Sequence, residues 1–171
     1  MKKTIFTLLI AFCAIAAASA QKYALIDMEY ILKNIPAYEM ANEQLSQVSQ
    51  RWEKEVNELS KEAETMYKNY QNEMVFLSDD LKKKREEEIV LKEKEVTELR
   101  YKYFGAEGEL YKKRQSLMKP IQEDVYNAVK AVADEGGYLT IFDRASSQSI
   151  VFASPKIDVS NLVLAKLGYS K

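Results

Sequence analysis

Side chains able to do chemistry are abundant in this 171-residue sequence, but they are poorly assorted for catalysis. There are 26 acidic and 25 basic residues, one cysteine (Cys13) and no histidine. Paired carboxylates act as general acid and base when a cleft holds them and separates their pKa values. Here the acids fall along the polar faces of amphipathic runs, where water surrounds them. Ser146, Ser147 and Ser149 are nucleophiles by type, yet no histidine exists to take a proton from them. The same absence removes most zinc and haem sites and any histidine pH switch. There is no Gly-rich phosphate cradle and no metal-ligand motif. No cofactor or metal is therefore expected, and no enzyme. A formal charge of −1 also argues against a nucleic-acid partner.

The elements that carry these residues fall into three stretches. Lys2 and Lys3 precede an apolar run from Ile5 to Ala18, which ends in Ala18-Ser19-Ala20. That is the three-part pattern of a signal peptide, with cleavage expected before Gln21; a retained anchor is the lesser reading. Cleavage leaves 151 residues, and without Lys2 and Lys3 the 23 remaining bases face 26 acids, a net charge of −3. It also removes Cys13, so neither disulfide nor thiol chemistry remains.

From Gln21 to Phe104 there is no glycine, and helix-forming Glu, Lys, Leu, Gln, Met and Ala dominate. Apolar residues recur in rows of eleven (Leu45/Val56/Tyr67, Val48/Leu59/Tyr70, Trp52/Ala63/Met74), the period of a nearly straight helix. Farther on, Ile89, Val96, Tyr103, Leu110 and Leu117 are seven apart, a heptad seam that needs a partner. Ser78 or Asp79 is a candidate cap between the two runs. A helical hairpin over 37–134 with its tip near 78–80 is expected; one unbroken rod of roughly 145 Å is the alternative.

The flanks differ. Residues 21–36 and 135–171 are expected to form a small body. Lys22–Asp27 reads as a strand, Asp27 as the cap of a short helix, and Pro36 as the start of the long one. Gly136-Gly137 ends the helical pattern, and Tyr138–Asp143 and Ser149–Ala153 read as the strands of a β-hairpin. Asp158 caps a last helix that Gly168 closes. The fold class is thus α+β, mostly α. A body of about 50–55 residues makes a marginal core, so association through its strands is expected.

Taken together, the signal peptide, the early Tyr23-Ala24-Leu25-Ile26-Asp27, the helical middle and the C-terminal run resemble the Skp/OmpH family of periplasmic chaperones. The most specific part runs from Gly137-Tyr138-Leu139-Thr140-Ile141-Phe142-Asp143 through Ser149-Ile150-Val151-Phe152-Ala153 to Leu164-Ala165-Lys166-Leu167-Gly168. The resemblance implies a periplasmic homotrimer joined through its β-rich bodies, here assigned to Leu25, Ile26, Leu139, Ile141, Ile150 and Phe152. It implies hairpin arms around a cavity that holds unfolded outer-membrane proteins, without ATP or metal. Unlike the best-known, strongly basic members, this mature chain is slightly acidic.

A chaperone of that kind needs adaptable apolar surface, which Met and Tyr supply. Seam residues Met66, Tyr70, Leu77 and Tyr103 are expected to be buried between helices. Off-seam Tyr67, Phe76, Tyr101, Phe104 and Tyr111 are the expected client contacts. Lys82-Lys83-Lys84-Arg85 offers transient contact with a membrane surface, but Glu86-Glu87-Glu88 follow at the spacing that neutralises three of them, so a solvated face is favoured. An elongated envelope scaffold or tether is the alternative function.

Overall fold

The computed structural model describes residues 22–169; the expected signal peptide, its cleavage site and Cys13 lie outside the described residues. In chain order the elements are β1 (Tyr23–Ile26), α1 (Met28–Lys33), α2 (Pro36–Glu73), α3 (Asp79–Phe104), α4 (Glu109–Gly136), β2 (Thr140–Asp143) and α5 (Ser160–Lys166). Short 3-10 turns occupy Met74–Phe76 and Pro155–Ile157. The described chain divides into two compact units, residues 36–121 and residues 22–35 with 122–169.

The first unit is a helical hairpin. Pro36 opens α2, where its missing N–H costs no intrahelical bond, and the helix of 38 residues has no glycine and no other proline. The chain reverses at the turn Met74–Phe76, after which Leu77 and Ser78 are extended. Ser78 precedes α3 without making a side-chain capping bond. The seam buries Val56 and Ala63 of α2 with Ile89 and Tyr103 of α3. Trp52 stacks on Tyr103 at 4.7 Å with ring planes 5° apart. Lys92 reaches across to Glu62 at 3.7 Å as well as along its own helix to Glu95 at 2.9 Å.

The heptad pattern predicts an uninterrupted helix through Tyr103 and Leu110, but the chain breaks at Gly105–Gly108. Gly105 turns extended (φ −61°, ψ 167°) while its N–H still reaches Tyr101 O at 2.8 Å. A Cβ there would lie 2.4 Å from Tyr101 O, and one on Gly108 would lie 2.8 Å from Tyr103 O. The break is therefore built of backbone so closely folded that only glycine fits.

In the second unit Asp27 caps α1, its Oδ1 accepting the Tyr30 N–H at 2.8 Å. Gly137 adopts φ +65° and ends α4, with Tyr138 N–H returning to Ala133 O at 2.9 Å. Ala24, Leu25, Ile26, Ile31, Val125, Val132, Val159, Val163 and Leu164 form the core. Its sheet corrects the expected β-hairpin. β2 pairs in parallel with β1, in the register Tyr23↔Thr140 to Ile26↔Asp143, and Ser149–Ala153 is not a strand. Strands persist where a face is buried, and Val151 and Phe152 remain 97% and 85% exposed with no sheet beneath them. β1 instead fills its second edge with a bridge between Leu25 and Asp158.

Candidate functional site

The hairpin has apolar residues in excess of what its seam uses. Tyr67, Phe76, Tyr101 and Tyr111 are all exposed, Phe76 by 87% and Tyr101 by 73%. Phe104 is half-buried, its ring edge-on to Tyr103 at 6.3 Å. Among the seam residues, Tyr103 is buried while Met66, Tyr70 and Leu77 are half-buried. Sequence reasoning missed Val90 and Leu91, both exposed. The readable signal was the triplet Ile89-Val90-Leu91, since one residue of three adjacent ones can face a helical seam.

Two phenols tie the helices together. The Tyr103 hydroxyl donates to Glu55 Oε2 at 2.9 Å, and the Tyr70 hydroxyl donates to Glu86. Each bond to a carboxylate, helped by partial burial, holds the phenol's pKa above its ordinary 10.0. Within the basic run, Lys82 pairs with Asp79 at 3.4 Å and Arg85 with Glu88 at 3.2 Å, at three residues' spacing and not in the expected lysine pairs with Glu86-Glu87-Glu88.

Between the helices runs a groove made of two adjoining cavities, of about 540 and 400 Å³. α2 lines it with Glu53, Val56, Asn57, Ser60, Ala63, Glu64 and Tyr67, and α3 with Glu93, Val96, Thr97, Arg100 and Phe104. The spacings of three and four residues place each set on one face of its helix. Arg100 lines both cavities. Glu64 is engaged by Lys68 at 2.6 Å, which holds its carboxyl below the usual range. The groove thus gathers Tyr67 and Phe104, whereas Phe76, Tyr101 and Tyr111 do not line it.

In the second unit an ionic knot joins distant parts of the chain. Arg144 donates to Asp27 Oδ2 through Nε and Nη2 at 3.2 and 3.0 Å, and its Nη1 lies 3.5 Å from Asp158 Oδ2. Ser160 Oγ donates to Asp158 Oδ1 at 2.6 Å and accepts the Asp27 N–H at 2.8 Å. Burial raises the Asp143 pKa, but hydrogen bonds from Ser146 and from the N–H groups of Met28, Ala145 and Ser146 outweigh it and hold the carboxyl below 3.8. These groups bond one another and fix the ends of β1, β2 and α5. Of the six residues assigned to subunit association, Leu25 and Ile26 are buried, Ile141 and Ile150 are half-buried, and Leu139 and Phe152 are exposed. Among the described residues no cluster of His, Cys, Asp or Glu is placed to hold a metal, and no helix is long and apolar enough to cross a membrane.

Comparison with known proteins agrees with this architecture. The family model for outer membrane protein (OmpH-like) matches residues 22–167. A crystal structure from Caulobacter crescentus CB15, of a protein assigned as an OmpH-like outer membrane chaperone, matches with a TM-score of 0.68. The two share 11% identity over 87% of this chain and 85% of that one, a likeness of fold. No curated protein matches the chain.

Proposed function

Starting from the membership of this chain in the OmpH-like family, we propose that it is an ATP-independent holdase of the periplasm, which binds unfolded outer-membrane β-barrel proteins and keeps them from aggregating. The observation that carries this reading is the surplus of exposed apolar side chains on a hairpin whose own seam is filled. Phe76 and Tyr101, at 87% and 73% exposure, add little to the packing of α2 on α3. Such residues suit a protein that shields another chain's apolar surface by reversible burial. Phe76 offers a bare apolar ring and Tyr101 a ring with a polar hydroxyl, a surface that many different apolar segments can cover.

The working unit is a homotrimer joined through the small units, with the hairpins enclosing a client cavity. Exposed Leu139, Val151 and Phe152 support that assembly, because a second copy would remove them from water. The test is dilution of an unfolded barrel protein with and without the purified mature chain, under conditions where its mass in solution is that of a trimer. Suppressed aggregation at equimolar trimer is expected. No suppression, together with capture of one stoichiometric folded partner, would replace this reading with that of an envelope scaffold.

A further inference from the structure

We propose that the groove between α2 and α3 holds an extended client segment with aromatic residues at alternate positions, one ring resting on the Arg100 guanidinium. The proposal rests on the holdase reading and assigns that activity a site.

Three observations select this occupant. The floor is made of small side chains, Val56 and Ala63 of α2 and Val96 of α3, which leave room for a ring above them. The Arg100 side chain is exposed and, among the described residues, makes no ion pair or hydrogen bond, so its planar cation is open to the face of an aromatic ring. Glu53, Glu64 and Glu93 stand along the rims and disfavour an acidic segment that would otherwise pair with Arg100.

Dimensions agree with an extended chain. Phe104 and Arg100 are one helical turn apart, about 6 Å along the axis. Alternate residues of a strand, which point to the same side, are about 6.6 Å apart. Phe104 and Arg100 can therefore take successive same-side rings of one strand. From Glu53 to Tyr67 the groove runs about 21 Å, the length of six or so extended residues. Transmembrane β-strands alternate apolar and polar residues and carry aromatic girdles at their ends. The groove thus reads the two-residue period of a barrel strand before that strand has folded.

The experiment uses the full mature chain and labelled peptides of about seven residues. One peptide carries aromatics at alternate positions; a second has the same composition with its aromatics adjacent; a third replaces the aromatics by glutamate. Fluorescence anisotropy should show the alternating peptide bound about fivefold more tightly than the adjacent one. Arg100→Ala, at an exposed position, should erase that preference, while Arg100→Lys should keep part of it and Lys84→Ala all of it. Equal binding of the first two peptides, preference for the glutamate peptide, or an unchanged preference in Arg100→Ala would each overturn the proposal. Aggregation assays on the same samples separate the two readings. Suppression without peptide preference leaves the holdase and removes the groove. An Arg100-dependent preference without suppression keeps the groove and removes the holdase.

Discussion

The two units of this chain expose apolar residues for opposite reasons. The hairpin is held by partners that face each other across a single turn: Trp52 on Tyr103, Glu55 bonded to Tyr103, Lys92 on Glu62. Its seam is complete without Phe76, Val90 or Tyr101, so their exposure costs the fold little. The smaller unit is held by groups far apart in sequence, such as Arg144 on Asp27, a separation of 117 residues. Its bare Leu139, Val151 and Phe152 lie beside a two-stranded sheet. Bare residues on a finished scaffold are free to bind, whereas bare residues beside an unfinished core call for a cover.

Core truncation should divide the units most sharply. Ile31 is fully buried in the smaller unit, so Ile31→Ala should cost about 2–4 kcal/mol there. Urea titration followed by near-ultraviolet dichroism should show the loss, with most helical signal persisting to higher urea. A single transition shifted as a whole would show that the units unfold together and erase the contrast.

Titration should sharpen it at opposite ends of the pH scale. Asp143, whose folded pKa is held below 3.8, stabilises the smaller unit above that value, and the contribution is lost as pH falls. Tyr70 and Tyr103, raised above 10.0, stabilise the hairpin below that value, and their contribution is lost as pH rises. Asp143→Asn should blunt the acid response and Tyr103→Phe the alkaline one, each read as the change in melting temperature with pH relative to wild type. An acid response unaltered by Asp143→Asn would remove that carboxylate from the account.

The smallest effect on stability is expected from the double variant Phe76→Ser/Tyr101→Ser, within about 0.5 kcal/mol of wild type for such exposed sites. Retention of an unfolded barrel protein should nevertheless weaken. Equal loss of stability and retention would make these side chains structural.

How much of this was readable depended on how local each signal is. Asp27 as a cap, Pro36 as a helix start and Gly136-Gly137 as a helix end are decided by neighbours within a turn, and the structure has them so. The N-cap of α5 is Val159 and not the expected Asp158, which stands one residue earlier and accepts the N–H of Ser160, the first residue of that helix, at 2.9 Å. The hairpin followed from two apolar seams of similar length. What escaped was decided at a distance. Nothing in Tyr138–Asp143 says that its partner is Tyr23–Ile26 in parallel rather than Ser149–Ala153, because both are short β-prone runs. Gly105 and Gly108 marked the break, but the heptad spacing continued across it and outweighed them. The groove was illegible for a further reason: Arg100 belongs to neither seam, and only the pairing of the helices sets it beside Val56 and Ala63.

The parallel pairing of β1 with β2 also orders events in time. Synthesis proceeds from the N-terminus, so β1 is made early and its partner Thr140–Asp143 only after both hairpin helices. The hairpin can close from neighbouring contacts, quickly, while Ala24, Leu25 and Ile26 still wait for a covering strand. A chain interrupted before Thr140 would carry a formed hairpin and no sheet. Synthesis must therefore reach Asp143 before the chain can close its own first strand.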